Sequence, residues 1–122
     1  MLHKDNAEHS IPEPLRSTFR QIADAFVAGD FQLRNQPISG VRPVETDTAE
    51  WIAGNILAYG ETLAPLNDET WDRSIYRWMD GYWEMLVDLT TTSEPVSDLT
   101  IHAKLYETGD DAALVVEGVY VP

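Results

Sequence analysis

The 122-residue chain contains no cysteine. This absence excludes disulfide frameworks, thiol nucleophiles and cysteine-based zinc sites. No apolar run approaches the roughly 18 residues that a membrane-spanning helix needs, and the first ten residues have no apolar core of the kind found in signal peptides. From these absences we predict a cytoplasmic location.

Lysine and arginine are also scarce, since eight of them stand against 21 aspartates and glutamates and the net charge is −13. No Lys or Arg lies between Arg42 and Arg73, between Arg77 and Lys104, or after Lys104. Such a charge repels nucleic acid and anionic membranes and attracts basic partners. It also promotes solubility by itself, so the charge leaves a functional and a solubilising interpretation open.

Groups suited to nucleophilic or acid–base catalysis are few. His3 and His9 lie in a polar start, residues 1–10, that we predict to be disordered. His102 lies on the outward side of a predicted strand, which is more typical of a solvated histidine than of a general base. No serine lies in a nucleophile-elbow sequence, and no glycines have a phosphate-binding spacing.

Carboxylates are too common here for proximity in sequence to identify a metal site. The group Asp68, Glu69 and Asp72 and the pair Asp110 and Asp111 supply oxygen ligands, but neither has the alternating pattern and glycine of a calcium loop. We therefore expect no catalytic residue, no cofactor and no bound metal.

Two helices are predicted in the first half of the chain. The first begins after Ile11-Pro12 and ends before Gly29, and its apolar stripe is formed by Leu15, Phe19, Ile22, Ala23, Phe26 and Val27. The second ends near Tyr59, before Gly60. We expect Asp47 and Glu50 to form its capping box. Its apolar side is assigned to Trp51, Ile52, Ile56 and Tyr59.

A β-hairpin is predicted around Asp80-Gly81, because a type I′ turn requires positive φ at both central residues. A two-residue loop pairs Trp78 with Trp83 and Arg77 with Glu84. The tryptophans then share one face with Tyr76 and Met85, which we interpret as core covered by the two helices.

Two further strands follow, at residues 98–107 and 112–121. The first alternates Leu99, Ile101, Ala103 and Leu105 with polar side chains, and Gly118 indicates a bulge or an overlying aromatic in the second. The predicted fold is therefore α+β, with two N-terminal helices on one face of a four-stranded antiparallel meander. Residues 11–122 are predicted to form a single domain.

The segment from Gly81 to Leu99 reads Gly-Tyr-Trp-Glu-Met-Leu-Val-Asp-Leu-Thr-Thr-Thr-Ser-Glu-Pro-Val-Ser-Asp-Leu. It resembles a family of small, acidic, uncharacterised bacterial domains, and it departs from that pattern at Thr90, where an aromatic is expected. The resemblance extends over about residues 11–122 and implies one domain of one fold. By analogy, small acidic proteins of this kind resemble immunity proteins, which neutralise a toxin made beside them.

These observations together predict a non-enzymatic binding protein of immunity or inhibitor type. Its acidic surface would occlude a basic partner such as a nuclease toxin domain. The predicted contacts lie in or beside turns at the ends of the sheet: Asp68, Glu69, Asp72, Asp80 and Glu94. Two alternatives stay open, namely a small-molecule-binding or enzymatic domain with a helix–sheet cleft, and a structural homodimer that pairs through a β-edge or the tryptophan face.

Overall fold

The computed structural model describes residues 2–122, which form an α+β fold with two α-helices, as predicted. The elements, in chain order, are β1 (His9–Ser10), α1 (Glu13–Val27), α2 (Thr46–Tyr59), β2 (Leu63–Ala64), a 3₁₀-helix (Asp68–Asp72), β3 (Ile75–Trp78), β4 (Trp83–Asp88), β5 (Thr90–Thr91), β6 (Thr100–Thr108) and β7 (Asp111–Tyr120).

The main sheet has five strands in the order β1-β3-β4-β6-β7, with every neighbouring pair antiparallel. Strands β2 and β5 form a separate two-stranded sheet. The predicted four-stranded meander is therefore corrected, because it omits β1 and the small sheet. The edge of β3 has backbone groups that need partners, and β1 supplies them although its polar sequence has no apolar pattern.

The hairpin has the predicted register, with Ile75 opposite Leu86 and Trp78 opposite Trp83. Asp80 and Gly81 have φ values of 60° and 138°, and the Met79 N–H donates to the Tyr82 carbonyl at 2.8 Å. Turn chemistry and cross-strand pairing agree at this position, which explains why a local pattern was sufficient to predict it.

One face of the main sheet is buried under the helices. Helix α1 contributes Phe19, Ile22 and Phe26 to the core, and α2 contributes Ile52 and Ile56. The sheet contributes Met85, Val87, Ile101, Ala103 and Val116, each at most 3% exposed.

The N-terminal segment, residues 2–10, lies against the tryptophan pair, where the sequence predicts disorder and a cover of helices. The Trp83 Nε1–H donates to the His3 carbonyl at 2.9 Å, and the His3 N–H donates to the Tyr76 hydroxyl at 3.0 Å. The Lys4 ammonium lies 5.0 Å from the Trp78 ring centroid. The segment satisfies buried polar groups of the aromatic face, which a helix surface without free acceptors would leave unpaired.

Helix α2 ends at Tyr59 as predicted, but it begins at Thr46, before the predicted Asp47 cap. Glu45 is its N-cap residue, and no side chain caps the helix, so the capping-box interpretation of Asp47 and Glu50 is wrong. The sequence also predicts the wrong environment for Trp51, which was assigned to the apolar side of α2. Its side chain is 49% exposed and lies over Gly118 of β7. The β7 register shifts opposite His102, so the bulge and the overlying aromatic predicted at Gly118 are both present.

Within residues 2–122, no helix combines the length and the apolar character that crossing a membrane requires.

Candidate functional site

The five carboxylates predicted to contact a partner do not lie on one surface. Asp68, Glu69 and Asp72 belong to the 3₁₀-helix, where Asp68 lies 3.2 Å from the Arg20 guanidinium. Asp80 lies in the hairpin turn, at the opposite end of β3 from Asp72. Of these four residues, only Glu69 and Asp72 are exposed, lie close to each other in the chain and have no Lys or Arg partner among the described residues.

Glu94, the fifth predicted contact, stabilises a loop. Its carboxylate accepts hydrogen bonds from the Tyr59 hydroxyl at 2.8 Å and from the Thr91 hydroxyl at 3.3 Å. The Asp98 N–H bonded to the Tyr59 oxygen lowers the pKa of Tyr59, but burial and the Glu94 carboxylate outweigh this and leave that pKa raised. Glu94 therefore joins α2 to the loop after β5, and its contact with a partner stays a prediction.

The cations of the chain are mostly used internally. In the part of the chain that the structure describes, six of the eight Lys and Arg side chains lie within 4.0 Å of a carboxylate of the same chain. The carboxylates outnumber them, so many acidic side chains have no cation nearby. The excess negative charge is therefore directed toward solvent.

One of these unpaired regions lies on α2 and just after its C-terminal end, and we call it the α2 acidic surface: Asp47, Glu50, Trp51, Leu57 and Glu61. Positions 47, 50 and 57 recur at helical spacing and form one exposed stripe on α2, and Glu61 follows the Gly60 C-cap. Among residues 2–122 none of its three carboxylates forms a salt bridge, and the segment from residue 43 to residue 72 contains no Lys or Arg. Leu57 is 82% exposed, so the stripe places an apolar side chain between acids.

Trp51 is held firmly at the edge of this surface. Its ring stacks on Tyr120 with centroids 5.6 Å apart and covers Gly118, where a Cβ atom would lie 2.3 Å from the indole. The Asn55 side-chain amide donates to the Val119 carbonyl at 2.9 Å and fixes α2 against β7. Beside Trp51 an open depression of about 440 Å³ is lined by Asn55, Ala58, Tyr59, Leu99, Tyr120 and Val121.

His102 is the centre of a polar row on the uncovered sheet face. Its Nδ1 lies 3.0 Å from the Tyr120 hydroxyl, and its Nε2 lies 3.3 Å from the Glu84 carboxylate, which also meets Arg77 at 3.6 Å. The Nε2–Glu84 contact is close enough for ionic attraction but is not aligned as a hydrogen bond. Both ring nitrogens thus face neighbours in the chain, and this arrangement favours a structural role over general acid–base catalysis.

Three side chains of the N-terminal segment could hold a metal ion. The donor atoms of His3, Asp5 and His9 all lie within 4.8 Å of one another. Sequence analysis assigned both histidines to a disordered start and therefore missed this grouping, which depends on the pairing of β1 with β3.

Sequence analysis also missed the α2 acidic surface. It treated Asp47 and Glu50 as caps and Trp51 as core, although the absence of cations from residues 43–72 was visible. That absence, combined with the helical spacing of the acids, was the signal that could have located the surface.

Residues 23–122 match the family described as a domain of unknown function, DUF7668. The chain belongs to this family. The predicted resemblance to an uncharacterised domain family is thereby confirmed, and the matched range includes the α2 acidic surface and the His102 row but not the N-terminal segment. Comparison with curated proteins found no match, and comparison with solved structures found none either.

Proposed function

We propose that the chain is a non-enzymatic binding protein of immunity or inhibitor type, which captures a basic protein through the α2 acidic surface. A nuclease toxin domain is the partner class that this chemistry fits best, because its substrate-binding groove must attract phosphates. We also propose that the protein is bacterial, as expected for a protein of this type.

The observation that supports this proposal is the charge distribution around α2. Asp47, Glu50 and Glu61 are exposed and have no Lys or Arg partner among residues 2–122, while Arg16 and Arg20 are bound elsewhere to Glu13 and Asp68. Carboxylates without internal cations leave their field available to a partner, and such a field accelerates encounter with a basic surface.

An apolar anchor adds to the charge. Binding energy at protein interfaces is concentrated in a few residues, with tryptophan prominent among them. Trp51 is half exposed and already immobilised by Tyr120 and Gly118, so little rotamer entropy is lost when a partner covers it. In the proposed mechanism the carboxylates occupy positions that phosphates would take on the partner, and Trp51 and Leu57 exclude water from the contact.

The two alternatives have less support in the geometry. The outer edge of β7 is already engaged, because Leu114 exchanges hydrogen bonds with Gly40 and Arg42 and Val119 accepts one from Asn55. Homodimer formation through that edge would require these contacts to break. The enzymatic alternative has no support from His102, because both of its ring nitrogens face Tyr120 and Glu84.

The test is a pull-down from cells of the source organism at low and high salt. The wild-type protein is compared with the double charge reversal Asp47→Lys/Glu50→Lys, and with Asp110→Lys/Asp111→Lys as a control of equal charge change in the β6–β7 turn. We expect a strongly basic protein to be retained by the wild type and by the control, to be lost at high salt, and to be lost with the α2 variant.

The captured protein is then purified and its nuclease activity is measured with and without the wild-type chain. Inhibition at equimolar concentration would support the immunity or inhibitor type. Binding that does not depend on salt, or that survives Asp47→Lys/Glu50→Lys, would contradict capture through the α2 acidic surface. Light scattering on the isolated chain identifies the homodimer alternative.

A further inference from the structure

We propose that the N-terminal segment carries a transition-metal site in which His3, Asp5 and His9 are the protein ligands, and that it takes Zn²⁺, Co²⁺ or Ni²⁺. The site is separate from the α2 acidic surface and does not depend on the function proposed for it.

The three donors lie close together on the surface. His9 Nε2 lies 2.8 Å from Asp5 Oδ1, and the His3 and His9 rings are stacked with centroids 4.3 Å apart and planes inclined by 18°. A tetrahedral ion bound at ~2.1 Å from each donor places the donors ~3.4 Å apart. The donors lie within 4.8 Å of one another, and rotation of one imidazole out of the His3–His9 stack allows both histidines to face the same ion.

The backbone holds these ligands in place before any ion binds. His3 is fixed through its main chain, which donates to the Tyr76 hydroxyl and accepts from the Trp83 indole. His9 belongs to β1, pairs with Tyr76 and stacks on its ring at 5.2 Å. Ordering a loop is a large part of the cost of building a metal site, and here folding of the sheet already supplies that order.

The local electrostatics favour a cation. The Asp5 carboxylate accepts a hydrogen bond from the Ala7 N–H at 3.0 Å, and the same oxygen lies 2.8 Å from His9 Nε2, so an acidic oxygen is held beside the imidazole. The neighbouring cation Lys4 is directed away, because its ammonium lies 2.9 Å from Glu107. The overall charge of −13 adds attraction for a positive ion.

The ligand set identifies the class of metal. Imidazole nitrogen suits zinc, cobalt and nickel, whereas Ca²⁺ and Mg²⁺ prefer ligand sets made of oxygen. Two imidazoles and one carboxylate also leave at least one coordination position without a protein ligand. His3 and His9 border a surface depression of about 650 Å³ that Leu2, Pro12 and Leu15 also line, so a water or a small anion has room to complete the coordination.

The test is a titration of the full, tag-free chain with Co²⁺, followed by visible absorption and by tryptophan fluorescence. We expect one equivalent to bind, with a d–d absorption band and with quenching from Trp83, whose indole is bonded to His3. His9→Ala and Asp5→Asn each weaken binding at least about tenfold, in the range found even for residues that only support metal ligands. His102→Ala is the matched control, because it removes the one histidine outside the site, and it leaves binding unchanged.

His3→Ala gives a further check, because the contacts of His3 with Tyr76 and Trp83 come from its main chain and are retained. Thermal unfolding without metal verifies that each variant keeps its fold, and saturating Zn²⁺ raises the Tm of the wild type but not of His3→Ala or His9→Ala. Absence of saturable Co²⁺ binding up to millimolar concentration would overturn the proposal. So would binding that survives both histidine substitutions.

Discussion

The two faces of the five-stranded sheet are built from alternate residues of the same strands, yet they have different roles. On the covered face Met85, Ile101 and Ala103 are fully buried against the helices. On the uncovered face the residues adjacent to these in sequence are Glu84, His102 and Lys104, which are half-buried and polar. Because side chains alternate along a strand, the two strands β4 and β6 supply a buried core and a polar network at once.

The difference shows that the two faces contribute unequally to stability. The covered face provides the apolar burial that drives folding. The uncovered face is ordered by hydrogen bonds and ion pairs in partial contact with water, each of which contributes little. Between them, Trp51 extends from α2 around the β7 edge onto Tyr120 and connects the core helix to the uncovered face.

The largest expected effect comes from comparing neighbouring residues on opposite faces. Met85→Ala removes a fully buried side chain from the covered face and should lower the free energy of unfolding by about 2–4 kcal/mol. Leu86→Ala, one residue on and only half-buried, should cost less than about 1.5 kcal/mol. Urea unfolding of both variants measures the contrast, and equal losses would mean that the uncovered face is also core.

A smaller effect is expected where Trp51 crosses from one face to the other. Gly118→Ala places a methyl group 2.3 Å from the indole, so Trp51 must leave its stack on Tyr120, and we expect a loss of about 1–2 kcal/mol. In the background of Trp51→Ala the same substitution should be nearly neutral. A double-mutant cycle by denaturant unfolding gives the coupling, and additive losses would show that the contact is not responsible.

The hydroxyl bonded to His102 tests the polar network itself. Tyr120→Phe removes the partner of His102 Nδ1 but keeps the ring stacked on Trp51, and it should cost about 0.5–1.5 kcal/mol. Tyr82→Phe is the control on the same face, because among the described residues the Tyr82 hydroxyl forms no hydrogen bond within the chain. If both variants unfold at the same urea concentration, the Tyr120–His102 bond adds nothing to stability.

The smallest effect is expected for the cross-strand pair of Lys104 and Glu117, 3.2 Å apart. Lys104→Met should cost at most about 1 kcal/mol at neutral pH. The hydrogen bond with Glu117 raises the pKa of Lys104, so the stabilisation is complete below the ordinary lysine pKa of about 10.4 and is lost as pH rises through the raised value. Unfolding measured between neutral and strongly alkaline pH should therefore show the wild type and Lys104→Met converging, and a gap that widens with pH would contradict this assignment.

Local patterns predicted the parts of the fold whose determinants are adjacent in sequence. The Asp80-Gly81 turn set the hairpin register, and Gly60 marked the end of α2 with a left-handed φ of 85°. Residues 2–10 could not be assigned in this way, because their order depends on Tyr76 and Trp83, which lie more than 70 positions away. No periodicity within the segment reports such contacts.

The candidate sites also have features that the sequence shows and features that it does not show. The excess of acid and the cation-free stretch from residue 43 to residue 72 were evident from the sequence, and they are the basis for proposing a basic partner. The sequence could not show which acids remain available to a partner. This depends on ion pairs between distant residues, such as Arg20 with Asp68, and on the hydrogen bond from the Tyr59 hydroxyl to Glu94. Asp68 and Glu94 already have partners within the chain, and their role as contacts stays a prediction.

The sequence by itself determined the α+β class, the two α-helices, the hairpin and its register, and the acidic surface charge, since each follows from spacing or composition within a short stretch. Only the tertiary structure decided that Trp51 lies over Gly118, that β1 joins the edge of β3, and that His3, Asp5 and His9 meet. Those features depend on which groups lie next to a backbone edge or an aromatic face, and this is decided only when the whole chain has packed.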